Sequence, residues 1–282
     1  MNANNYTNWN LIKYSAVLGS LILFNYFLWS INSWQILKYI NFIFLFITFI
    51  YFFVSKEYKD YWYLKIIIAL LLLISLGTPT IAIDARYVYL FSVKILFYES
   101  NLYMLLENHL SDIVTTRPKL PATLSATFAQ LVGSWNEIFP KSTNVIIILP
   151  PIIFLISFFK DQVLILLWLF LMLFFSGKLF VNGLMDGILA LYFVSSILIA
   201  YKISTTKEDF EKKLLYFTMF VFFAILSLCK IEGSVMILVI LLSSILTDII
   251  FVKKINYKLL LITFLSLCPF IIWKYIVIKN SV

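Results

Sequence analysis

Charge is scarce in this chain. Asp, Glu, Lys and Arg make up 13% of its 282 residues, against about 25% in an ordinary soluble domain. With 62% apolar residues, a single water-borne globule cannot hide the apolar surface, so lipid must cover the remainder; disordered polypeptide is excluded as well. Cysteine is nearly missing. Cys229 and Cys268 lie in or beside apolar runs, with neither metal-site spacing nor the number for a disulfide framework, which excludes a secreted disulfide scaffold. Seven Gly and seven Pro are too few for low complexity or collagen. Histidine occurs once, as His109. There is no P-loop, dinucleotide fingerprint, G-x-S-x-G or H-E-x-x-H, so cytoplasmic nucleotide chemistry has no support. The first apolar run lacks a basic start and a small-residue exit, and it reads as a retained helix rather than a signal peptide.

What is abundant is apolar sequence, with a mean hydropathy of +0.98, and aromatic residues, Phe 28 and Tyr 17, which suit lipid-facing helices and their interfaces. A spanning helix needs about 20 mostly apolar residues. Nine segments are candidates: 12–31, 36–54, 63–76, 145–159, 162–176, 184–201, 214–229, 234–252 and 259–276. The third to fifth are short. No internal repeat is visible, and the expected fold is all-α, a polytopic helix bundle forming one transmembrane domain over residues 1–282. With the N-terminus inside, the inner side holds Lys13, Lys56, Lys59, Lys65, Lys160, Lys202, Lys207, Lys212, Lys213, Lys253, Lys254 and Lys258. The short outer loops hold Lys38, Lys178, Lys230, Lys274 and Lys279. That bias has the sign of the positive-inside rule. It accounts for the net charge of +8 without nucleic acid as a partner.

This orientation places residues 79–144 outside. The stretch is too long for a tight connector and too apolar for a disordered loop. Leu124, Phe128, Leu131, Trp135 and Ile138 recur at helical spacing beside a small-residue stripe of Ala122, Ala126, Ala129 and Gly133. Pro121 suits a first helical position. The pattern predicts an amphipathic helix lying in the interface plane. Residues 85–98 read as a second one, with Arg86 and Lys94 on one side.

Charges at membrane depth cost roughly 2.5–3.5 kcal/mol each on insertion scales, and survive in cavities, at interfaces or in pairs. Asp84, Arg86, Asp186, Lys230 and Glu232 all fall at outer helix ends in this orientation. Three separate elements thus bring charge to one face. Each has a plainer reading. Asp84 and Arg86 suit a surface pair, Asp186 a carboxylate favoured by a helix dipole, and Lys230 with Glu232 a tight loop in which Gly233 permits a turn or a close approach. His109 lies beside Glu107 and Asp112, where surface decoration competes with pH-dependent or metal chemistry. Asp248, near the inner end of its helix, is explained by snorkelling or by pairing with Lys253 and Lys254. Pro150-Pro151 and Pro269 are expected to kink membrane helices.

An ordered set of local features resembles the GT-C superfamily of multi-spanning glycosyltransferases. It runs through Asp84-Ala85-Arg86, Arg117-Pro118-Lys119-Leu120-Pro121, Trp135-Asn136-Glu137-Ile138-Phe139-Pro140-Lys141, Asn182-Gly183-Leu184-Met185-Asp186-Gly187 and Lys230-Ile231-Glu232-Gly233. The resemblance covers residues 79–233. It implies a polyprenyl-phosphate sugar donor, a cell-envelope glycan or lipid acceptor, inverting transfer at the outer surface, and residence in a bacterial inner membrane. The family's acidic residue of the first large loop would match Asp84. A divalent metal is left open as cofactor. The chain ends soon after its ninth candidate span, short for the family, which leaves open a product missing a C-terminal region.

In this reading Asp84 is the catalytic base that takes the proton of the attacking hydroxyl. Lys230, Arg86 and Arg117 hold the donor phosphate, and Glu232 and Asp186 orient sugar hydroxyls or those cations. A transporter of envelope precursors and a non-catalytic membrane scaffold remain the alternatives; the first calls for a path through the bundle, the second for no site.

Overall fold

The computed structural model describes residues 7–31, 35–80, 85–107, 117–159, 164, 167–169, 171, 184–252 and 256–280. All regular structure among them is helical. In chain order, α1 is Trp9–Ile31, α2 Gln35–Val54 and α3 Trp62–Gly77, the last entered through a 3₁₀ turn at Lys56–Tyr61. A π-helical turn, Ala85–Leu90, leads into α4, Phe91–Glu99. Helix α5 is Leu120–Val132 and α6 is Thr143–Ile156. Then come α7, Asp186–Thr205, α8, Asp209–Cys229, α9, Ile231–Thr247, and α10, Tyr257–Asn280.

Seven helices among the described residues are long and apolar enough to cross a membrane: α1, α2, α3 with its 3₁₀ turn, α7, α8, α9 with its π-helical extension, and α10. The fourth candidate segment forms the shorter apolar helix Pro140–Ile156. Most of the fifth, 162–176, lies outside the described residues. Burial divides the bundle. In α1 and α8 67% of the spanning window is buried, whereas in α3, α9 and α10 it is 28%, 22% and 28%. Many large apolar side chains on those outer helices are exposed, which fits a lipid-covered rim around a core built on α1, α6 and α8. Buried apolar side chains from all these elements form one cluster among the described residues.

The two-proline step in α6 shows how this core is locked. A proline lacks the N–H that would bond the carbonyl four residues earlier, so Pro151 leaves the Ile147 carbonyl without its helical donor. The Tyr192 hydroxyl of α7 donates to that carbonyl at 2.9 Å. Ser15 of α1 donates to the Pro150 carbonyl at 2.7 Å, and Ser195 of α7 to that of Pro151 at 3.3 Å. These contacts fix direction too. Residues 192 and 195 meet 147 and 151, so α6 and α7 run parallel, while the Asn8 N–H donating to the Ser157 carbonyl makes α1 antiparallel to α6. One end of the bundle, the entry end, therefore carries the start of α1 and the ends of α6 and α7. The opposite end, the site end, carries the end of α1, the start of α7 and the junction of α8 with α9.

Helix α5 belongs to the site end. Pro121 stands in its first turn, where a missing N–H costs nothing. It stops at Gly133, whose φ of 74° is the left-handed conformation that favours glycine. Two expectations are adjusted. Trp135 and Ile138 lie beyond that stop, so the apolar periodicity through 138 runs past the helix. Ala122, Ala126 and Ala129 of the small-residue stripe are buried together with Leu124, whereas Leu131, Val132 and Gly133 at the end are exposed. Small side chains let α5 sit among α1, α4 and α6 rather than bury one stripe alone. The Trp29 indole donates to Thr127 at 2.8 Å, and Tyr89 bonds both Ser125 and the Pro121 carbonyl.

Candidate functional site

The site end contains a crevice formed where four separate stretches meet: the π-helical turn and α4 (Ala85, Val88, Tyr89, Ser92), the segment entering α5 (Arg117, Pro118, Lys119, Pro121, Ala122), the start of α7 (Leu184, Met185, Asp186) and the α8–α9 junction (Cys229, Lys230). Its volume is about 50 Å³, room for a group of a few heavy atoms and not for a sugar ring. Three cationic residues line it, from two elements, with one carboxylate.

Lys230 is placed by a one-residue joint. Helix α8 ends at Cys229 and α9 begins at Ile231, leaving Lys230 alone in extended backbone, φ −160° and ψ 154°. Such a sharp reversal requires the two helices to touch. A Cβ on Gly233 would lie 1.9 Å from the Leu226 carbonyl oxygen, so only glycine fits there. The Lys230 ammonium meets Asp186 Oδ1 at 2.9 Å and Glu232 Oε1 at 3.4 Å. Both carboxylates stand in the first turn of a helix, Asp186 in α7 and Glu232 in α9, where the dipole favours negative charge. Burial on its own lowers the Lys230 ammonium, but the Asp186 hydrogen bond and the charges of Asp186 and Glu232 outweigh it and hold it above the ordinary lysine range. The two carboxylates are more than half exposed, so as surface pairs they contribute little stability, about 0–1 kcal/mol each. Their arrangement fixes where the ammonium points.

Lys119 is the residue that sequence reasoning passed over. It is 3% exposed and donates to Ser92 Oγ at 3.0 Å. Burial, with the neighbouring Arg117 charge, pulls its ammonium down to about 7. A signal was present: a lysine flanked by Pro118 and Pro121 in apolar surroundings, at the head of a helix with no side-chain cap. Lys141 is similar, fully buried and donating to the Thr78 carbonyl, but it does not line the crevice.

The structure thus brings together Arg117, Asp186 and Lys230, with Glu232 in contact through Lys230. Arg86 is not among the lining residues: its guanidinium Nε pairs with Glu137 Oε2 at 3.0 Å, both half exposed. Asp84, His109, Asp112, Asn182 and Gly183 lie outside the described residues; Ala85, next in the chain to Asp84, lines the crevice. For the metal left open by the sequence, no group of three or more His, Cys, Asp or Glu is gathered among the described residues, and Asp186 and Glu232 both face a lysine.

No protein-family model, curated protein or solved structure matches this chain.

Proposed function

We propose that the chain is a membrane glycosyltransferase of the GT-C kind, moving a sugar from a polyprenyl-phosphate donor to a cell-envelope glycan or lipid acceptor at the outer face of a bacterial inner membrane. One observation carries the reading: Arg117, Lys119 and Lys230 line a single crevice with Asp186 at one end of an apolar bundle. Asp186 and Glu232 both face Lys230, and Arg117 and Lys119 stand beside that pair in the same crevice, where a lipid-borne phosphate can arrive with its chain still in the bilayer.

The lysine bias makes the site end the extracytoplasmic one. The helices of residues 85–99 and 120–132 then stand where the outer interface would be. In the reaction, the acceptor hydroxyl attacks the anomeric carbon and gives its proton to the Asp84 carboxylate. The bond from that carbon to the phosphate oxygen breaks, and the phosphate leaves as an anion. Lys230, held by Asp186 and Glu232, neutralises it together with Arg117 and Lys119. The crevice matches the phosphate alone, so the sugar lies at its mouth. Arg86, paired with Glu137, is left out of this contact.

Binding of polyprenyl phosphate to the purified protein tests this reading by native mass spectrometry. The wild type is expected to retain it, and Lys230→Gln to lose about tenfold or more in affinity, the order of one charge-assisted contact. Equal binding by both would remove Lys230 from the phosphate site.

A further inference from the structure

A second cavity lies at the entry end, between α7, α9 and α10, with a volume of about 280 Å³. That is near the lower limit of small-molecule sites, about 300 Å³. Its apolar lining includes Ile197 and Val239, both about half exposed. Its polar lining is mostly hydroxyl groups. Ser204, Ser243, Ser244 and Thr247 all line it, and each hydroxyl hydrogen is directed to a carbonyl of its own helix: Tyr201, Val239, Ile240 and Ser243 respectively, at 2.7–2.9 Å. A hydroxyl that has donated keeps its lone pairs, so all four present acceptors only. Asp248 adds a carboxylate. Its Oδ2 accepts the Asn256 N–H at 3.0 Å, and it makes no ion pair among the described residues. The nearest cation on α7, Lys202, is directed instead to Thr7 and the Phe158 ring. Lys253 and Lys254, the partners that the sequence suggests for Asp248, lie outside the described residues.

We infer that this cavity binds the ammonium headgroup of a phosphatidylethanolamine-type lipid, its acyl chain lying along Ile197 and Val239. Four hydroxyl acceptors and one carboxylate in the lining complement a group that is all donors and positive, with Tyr201 and Asn256 the donors beside them, and the opening between lipid-exposed helices admits a tethered headgroup sideways from the bilayer. A trimethylated headgroup has the same charge and no N–H to give. The site stands at the opposite end of the bundle from the proposed transfer chemistry and does not depend on it.

The test is thermal unfolding of the full chain in nanodiscs, comparing phosphatidylethanolamine with phosphatidylcholine at equal anionic-lipid content, with lipid retention measured by native mass spectrometry. Wild type is expected to melt higher in phosphatidylethanolamine and to retain that lipid at least about tenfold better, as a charge-assisted contact implies. Asp248→Asn keeps an acceptor for the Asn256 N–H and should lose the preference. Ser243→Ala with Ser244→Ala, which leaves Asp248 in place, should weaken it. Because the preference is read within each variant, a lower baseline stability does not obscure it. Equal behaviour of the two lipids in wild type, or an undiminished preference in either variant, would overturn the assignment.

Discussion

Lys119 and Lys230 are both lysines in one crevice, yet their surroundings push them in opposite directions. Lys230 gains two carboxylates and stays charged; Lys119 is buried beside a cation and titrates near 7. If Lys119 helps hold a phosphate, donor binding in the wild type weakens as pH rises through about 7, and Lys119→Met removes that step. Stability has the opposite sign. The folded pKa lies below the ordinary value of about 10.4, so between them the unfolded chain binds more protons and stability rises with pH. Unfolding temperatures measured from about pH 6 to 9 should climb in wild type and lose that slope in Lys119→Met. A slope unchanged by the substitution would assign it to another group. At this scale the sequence showed charge where charge is costly, which is why Asp186, Lys230 and Glu232 stood out. It could not show partner choice. Arg86 and Glu137 are 51 residues apart and pair across a fold, and the flanking prolines of Lys119 hint at an unusual lysine without revealing that Ser92, 27 residues away, accepts its hydrogen bond.

Helices α8 and α9 form the element most dependent on one residue. Gly233→Ala places a methyl 1.9 Å from the Leu226 carbonyl oxygen, against backbone that cannot swing aside. The helices must part, at a cost on the order of 1–3 kcal/mol or more, and Lys230 moves with them. Gly77→Ala at the end of α3 is the control, since a methyl there meets nothing within 4 Å. Unfolding in detergent should show a clear loss for the first and no loss for the second; equal effects would mean that the joint is not tightly packed. Element existence was legible because an apolar run of about 20 residues has few alternatives in a membrane. Ends were less so. The apolar period through Ile138 continued past Gly133, whose left-handed turn closes α5. Ala122, Ala126 and Ala129 of the small-residue stripe permit burial among α1, α4 and α6, a packing that depends on neighbours far away in the chain.

For the whole molecule, the parallel course of α6 and α7 and the convergence of the α5, α7 and α8–α9 segments at one end are consequences of packing. The sequence anticipated their common end only through lysine counting. Orientation is open to direct test. A cysteine at Ser134, at the site end, should react with a membrane-impermeant maleimide in intact cells, and one at Lys207, at the entry end, only after permeabilisation, with Cys229 and Cys268 replaced beforehand. The reverse pattern would put the crevice inside and defeat an extracytoplasmic transfer. The central claim, that the cationic crevice serves sugar transfer from a lipid phosphate, is tested most directly by following radiolabelled sugar from polyprenyl-phosphate donors into envelope acceptors. Wild-type membranes should transfer label, and Asp84→Asn membranes, with equal protein inserted, should fall by about a hundredfold or more, the lower range for loss of a general base. Full transfer by Asp84→Asn, or none above background by wild type with any such donor, would contradict the account.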